Sequence, residues 1–200
     1  NLAEPLELQA GDLALMARVY APPLHGPEAV WSERSMLRHL ARFPQGQFVA
    51  DLEGAVVGTS TCMRLSLERA LAPHTWGDLT ARGTLATHEP EGEALYGVNI
   101  AVDPACQGQG VGHALYEARI TLARSQGCRW FVAGARIPGY HRHAERMSPE
   151  DYLAEVAAGR LFDPTVSKQM AVGFQVRGLL RDYAPDPETL GHAALIVMEL

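Results

Sequence analysis

The sequence predicts an α/β (α+β) fold, a mixed, mostly antiparallel sheet of about seven strands flanked by helices. Three observations carry that prediction. Residues 95–126 read as a buried strand, a tight Gly-rich turn and a long amphipathic helix. Residues 47–65 read as two strands joined by Glu53-Gly54, a hairpin signal. Two further short strands close the chain around a Pro-rich loop. With 200 residues, 47% apolar content and no internal repeat, the chain suits one domain over residues 1–200 with a full core.

Taken in order, Glu4–Leu8 alternates enough for a first strand, and Asp12 can cap a helix through Tyr20, stopped by Ala21-Pro22-Pro23. Ser32 caps a second helix carrying Met36, Leu37 and Leu40, which ends before Pro44. Gln47–Leu52 and Ala55–Leu65 form the hairpin. Residues 66–93 are a long polar connection, and a loop of that length inside a domain is usually functional or mobile. Its His74, Trp76 and His88 are candidates for lining a substrate mouth; the alternative is a Trp76 that anchors the loop and histidines that are solvated.

Leu95–Val102 is apolar or small almost throughout, and Asp103-Pro104 ends it. The turn Gln107-Gly108-Gln109-Gly110-Val111-Gly112 feeds a helix with Val111, Leu115, Ala118 and Leu122 on one face, closed at Gly127. Arg129–Gly134 is a short buried strand. An insertion, residues 135–162, carries its own helix, with Ser148 as cap, Pro149 at the first helical position and Gly159 at the end. Its basic, aromatic start, Arg136–His143, either closes over an acceptor site or covers the sheet edge; a metal on His141 and His143 lacks a third ligand at suitable spacing. Asp163-Pro164 caps a short helix ending at Gly173-Phe174, and Val176–Arg181 and Ala193–Met198 are the last strands.

A Gly-rich loop at a helix N-terminus exposes unpaired N–H groups at the positive end of the helix dipole, which makes it an anion site and most naturally a phosphate site; the alternative is an ordinary βα turn whose glycines pack the helix. The dinucleotide fingerprint fails because His113 stands at its third glycine, and the P-loop fails for want of its Lys. What remains is Gln107-x-x-Gly110-x-Gly112 after Val-Asp-Pro. This resembles the pyrophosphate loop of the GCN5-related N-acetyltransferase (GNAT) family, and with the element order and Gly173-Phe174 the resemblance covers nearly the whole chain. Gly134-x-Arg136-Ile-Pro-Gly-Tyr140, Asp163-Pro164 and Gly173-Phe174-x-Val-Arg-Gly178 are similar to the acetyltransferase domain found fused to nitrilase-type hydrolases.

The resemblance implies a splayed central strand and acetyl-CoA as cosubstrate, with Ile100, Ala101 and Val102 beside pantetheine and Gln107–Gly112 (Gln107, Gly108, Gln109, Gly110, Val111, Gly112) around the pyrophosphate. It implies direct attack on the thioester by a primary amine of a small molecule or protein. A backbone donor near Asn99–Ile100 could then stabilise the developing oxyanion. Where many members carry a base on the central strand, this chain has Tyr96 and Asn99, so His74, His88, Glu93 or a water chain is needed for deprotonation. The family's tyrosine acid falls on Gln169 here, so either the thiolate leaves without a dedicated side-chain acid or Ser167, Tyr96 or Tyr140 substitutes. That departure keeps a second reading open, a non-catalytic acyl-CoA-binding or interaction module.

The bulk chemistry narrows the partners. A net charge of −6 with no Lys/Arg run argues against nucleic acid. No apolar run reaches membrane-spanning length, and the start NLAEPLEL has no signal-peptide character, although a chain beginning at Asn1 is expected of trimming. Three cysteines, Cys62, Cys106 and Cys128, without C-x-x-C spacing suit reduced thiols in a cytoplasm. Dimers through the C-terminal strands are common among relatives and are an expected assembly.

Overall fold

The computed structural model describes residues 32–200. The predicted strand at Glu4–Leu8 and helix at Asp12–Tyr20 lie outside the described residues. Among the described residues the sheet has six strands, matching the six predicted there: β1 (Gln47–Leu52), β2 (Ala55–Leu65), β3 (Ala94–Val102), β4 (Trp130–Arg136), β5 (Gln175–Leu180) and β6 (Ala193–Glu199), in the spatial order β1-β2-β3-β4-β6-β5. Every neighbouring pair is antiparallel except β3 and β4.

Local chemistry places the helices. α1 (Glu33–Arg42) begins where the Ser32 hydroxyl accepts the Ser35 N–H, and its buried residue is His39, whose Nε2 meets the Gly83 carbonyl at 2.6 Å. The 66–93 connection holds two short helices, α2 (Leu67–Leu71) and α3 (Trp76–Leu79), the second capped by Thr75. α4 (Val111–Ser125) follows the Gly-rich turn directly. Its buried residues are Leu115, Arg119, Ile120 and Ala123, so the stripe predicted on Val111, Leu115, Ala118 and Leu122 is rotated toward Arg119. α5 (Pro149–Ala157) starts from Ser148, whose hydroxyl accepts the Asp151 N–H. In α6 (Val166–Val172) the first turn is capped by Asp163, whose Oδ1 accepts from Thr165 and Val166.

The sheet separates two apolar layers. Leu95 and Phe131 pack toward α4, α5 and α6 with Ile120, Tyr152 and Phe174. On the opposite face Tyr96, Val98, Val132 and Leu195 pack with Met63, Leu79 and Tyr183. Each fully buried large side chain contributes about 1.5–3 kcal/mol by leaving water, which makes these layers the main source of stability.

Candidate active site

β3 is the strand on which two irregularities fall together. Its register with β2 runs Thr61↔Asn99 and then Cys62↔Gly97, so Val98 is an extra residue, a β-bulge. The Asn99 side chain fills the gap: its Oδ1 accepts the Thr61 N–H at 2.9 Å, while the Asn99 carbonyl accepts the Ser60 hydroxyl at 2.8 Å. On its other edge β3 pairs with β4 from Ala94↔Trp130 to Gly97↔Ala133 and no further. Beyond that point β3 continues along β2 to Val102 and β4 along β6 to Arg136. The two strands therefore part in a wedge with its apex at Gly97 and Ala133.

The end of β3 leads into the Gly-rich turn. Asp103 Oδ1 accepts the Ala105 N–H, closing a short 3₁₀ turn. Gly108 and Gly110 then take φ of +76° and +86°, which L-residues rarely adopt. Gly110 is the N-cap of α4, and no side chain caps that helix start. The turn from Gln107 to Gly110 is solvent-exposed. An uncapped helix N-terminus, exposed and shaped by left-handed glycines, has the donors and dipole that a pyrophosphate needs. A bound CoA fits these residues.

On the face away from α4 the structure brings Tyr96, His74 and Trp76 together and adds Tyr183. His74 Nδ1 lies 2.7 Å from the Ala72 carbonyl, which can only accept, so Nδ1 carries the proton. Burial holds the His74 imidazolium below its ordinary pKa range, so Nε2 is bare and accepts the Tyr96 hydroxyl at 2.9 Å. With that proton committed, the Tyr183 hydroxyl donates to Tyr96 Oη at 3.0 Å. Burial pushes both phenols above their ordinary range. The result is a directed chain of three hydrogen bonds, from Tyr183 through Tyr96 and His74 to the Ala72 carbonyl. Trp76 frames it: its indole N–H donates to the bulge carbonyl of Val98 at 3.2 Å, and its backbone N–H donates to the Tyr183 carbonyl. Gly134 is required beside it, because a Cβ there would lie 2.6 Å from Tyr183 Cε2 and closer still to Cζ.

The other candidates lie elsewhere. His88 Nδ1 accepts the Arg64 N–H and its ring stacks on Phe43, so it ties the 66–93 connection to the end of β2. Glu93 Oε1 accepts the Leu67 N–H at the head of α2. Ser167 accepts the Asp163 N–H and lines an open surface cavity of about 370 Å³ with Val156, Leu161, Phe162 and Met170. Tyr140 opens a 3₁₀ turn after β4 and is buried against Tyr152 and His192. Gln169 Nε2 donates to the Tyr116 hydroxyl at 2.8 Å, bridging α6 and α4. Among the described residues no three His, Cys, Asp or Glu side chains converge as a metal site.

Sequence reading missed Tyr183 and Arg119. Tyr183 lies in the Pro-rich loop, 87 positions from Tyr96, and carries no periodic signal. Arg119 left one: a charged residue between Leu115 and Leu122 on the helix stripe that faces the sheet.

Comparison with known proteins agrees with this architecture. The family model for the acetyltransferase (GNAT) family matches residues 15–144. The chain is 35% identical over 156 residues to the probable hydrolase YhcX of Bacillus subtilis (strain 168), covering 78% of this chain but only 30% of YhcX. It is 31% identical over 175 residues to the uncharacterized N-acetyltransferase YkwB of the same organism, covering 88% of this chain and 77% of YkwB. Among solved structures, the GphF GNAT-like decarboxylase in complex with isobutyryl-CoA superposes with a TM-score of 0.80 at 27% identity, covering 100% of this chain and 97% of that one. The splayed β3–β4 pair, the Gly-capped loop at α4 and these matches together place the chain in the acetyltransferase (GNAT) family.

Proposed function

We propose that this chain transfers an acyl group, acetyl in the simplest case, from acyl-CoA to a primary amine of a small molecule or protein by direct attack of the amine. The observation that carries the reading is the continuity of wedge and loop: β3 leaves β4 at Gly97 and runs straight into the uncapped, Gly-shaped start of α4. Gln107–Gly112 would hold the pyrophosphate, and the β3 edge from Val98 to Val102 would run beside pantetheine. When bound, acyl-CoA supplies a thioester carbonyl open to nucleophilic attack. The bulge keeps β3 irregular at Val98–Asn99, where a backbone N–H would face developing negative charge.

An ammonium substrate must first lose a proton. The Tyr183–Tyr96–His74 chain supports that role, because it ends on a bare imidazole nitrogen. A proton entering at the buried hydroxyls shifts along the chain to His74 Nε2, and the imidazolium is then steadied by the Ala72 carbonyl on Nδ1. Tyr96 and His74 are the residues we assign to proton removal, with Tyr183 and Asn99 positioning them and the bulge.

The test is a thermal-shift titration with CoA and acetyl-CoA on the wild type and on Gly110→Glu. A ligand at 100-fold over its Kd that binds only the folded state contributes about 2.7 kcal/mol, a readily measured rise in Tm. The expected result is a rise in the wild type that is lost in Gly110→Glu, whose carboxylate repels the pyrophosphate. A well-folded wild type that shows no rise with either ligand refutes the reading.

A further inference from the structure

Three buried polar atoms without a hydrogen-bond partner among the described residues belong to two side chains that both touch Tyr116: Arg119 Nε, Arg119 Nη2 and Gln169 Oε1. Arg119 is 2% exposed and Gln169 7% exposed. The guanidinium lies 4.2 Å from the Tyr116 ring centre and 5.0 Å from that of Phe131. Gln169 reaches the same Tyr116 from α6. The place is the wedge apex. A Cβ on Gly97, the last ladder residue of β3, would lie 3.3 Å from Arg119 Nη1. Cys62 is opposite Gly97 on β2, where the Arg119 charge opposes the upward push that burial gives its thiol.

A guanidinium cannot shed its charge, and leaving it buried without an anion is costly. The two aromatic faces offset only part of that cost. The unpartnered atoms are also specific. Nε and Nη2 share one edge of the guanidinium, where two N–H bonds run side by side, and that edge matches the two oxygens of a carboxylate. An acetyl group leaves it unmatched.

We infer that Arg119 reads the acyl group of the donor, and that this donor is a short acyl-CoA bearing a carboxylate, of the malonyl or succinyl type. The inference rests on the acyl-CoA reading above and narrows it. The carboxylate takes the Nε–Nη2 edge. Turning the Gln169 amide end for end lets Tyr116 donate to Oε1 and frees Nε2 as a further donor beside Tyr116. Gly97 brings no side chain to the apex.

The experiment is equilibrium binding of CoA, acetyl-CoA, malonyl-CoA and succinyl-CoA to the wild type, Arg119→Gln and Arg119→Met. Malonyl-CoA or succinyl-CoA should bind the wild type about tenfold or more tighter than acetyl-CoA, the size of a hydrogen-bonded charge pair. Both variants should lose that preference and keep the affinity for CoA itself. Arg119→Met, which replaces an unpaired cation by an apolar chain of similar length, should melt no lower than the wild type in the absence of ligand. Equal binding of acetyl-CoA and both carboxylated donors overturns the inference, as does a preference that survives in the variants or a marked loss of Tm in Arg119→Met. If CoA itself fails to bind, the acyl-CoA reading falls with it; CoA binding without preference defeats the inference alone.

Discussion

Gly134→Ala tests the Tyr183–Tyr96 contact directly. The new Cβ would stand 2.6 Å from Tyr183 Cε2, where ordinary contact begins near 3.4 Å, so the ring must retreat by at least about 0.8 Å. The Tyr183 hydroxyl is already 3.0 Å from Tyr96 Oη, so that retreat breaks the bond. Overpacking in a close-packed layer costs about 1–3 kcal/mol, and the lost buried hydrogen bond adds about 0.5–1.5 kcal/mol. For a chain of this length a loss of about 1.5–4.5 kcal/mol lowers Tm by roughly 3–18 °C. The assay is thermal unfolding of a double-mutant cycle with Tyr183→Ala. In that background the ring is gone, and Gly134→Ala should cost about 0.5 kcal/mol or less. Equal losses in both backgrounds would refute the packing argument. The single variant should also turn over more slowly than the wild type at equal substrate saturation, because the hydroxyl chain is interrupted.

Two further outcomes follow from the same geometry. Asn99→Leu leaves the Thr61 N–H at the bulge without its acceptor and should cost about 1–3 kcal/mol in urea denaturation, whereas Asn99→Asp keeps an acceptor and should cost less; equal losses would remove Asn99 from this role. Burial holds His39, His74 and His88 below the ordinary value of 6.5, so the unfolded chain takes up protons that the folded chain refuses. Stability is therefore complete above 6.5 and falls as pH drops through it, so Tm at about pH 5.5 should lie below Tm at about pH 7.5; no change would contradict the burial of these rings.

Much of the scaffold was legible because its signals are local. The caps at Ser32 and Ser148 and the left-handed glycines of the α4 loop each depend on a few adjacent residues. Hairpin β1–β2 was legible for the same reason, since two strand-like runs joined by Glu53-Gly54 suffice to define it. The site was harder to read. That β3 leaves β4 after four pairs follows from how both strands are held by their outer neighbours, and no residue of β3 announces it. Likewise Tyr183 reaches Tyr96 only through a turn at Asp182, with φ +51°, in a loop with no period. Arg119 was readable as a conflict between a polar residue and an apolar stripe, and its meaning needed the distances.

The short β3–β4 ladder has a consequence for how the molecule holds together. It is the seam between two antiparallel half-sheets, β1-β2-β3 and β4-β6-β5, each built from neighbours paired along most of their length. Only four residue pairs stitch the halves edge to edge, while α4 packs on β1 to β4 and rivets them from one face. A pantetheine arm lying in the wedge would supply backbone partners where the ladder stops, completing the missing stitches. Donor binding would then act as a clasp across the weakest joint of the sheet, tying the rigidity of the two halves to the presence of substrate.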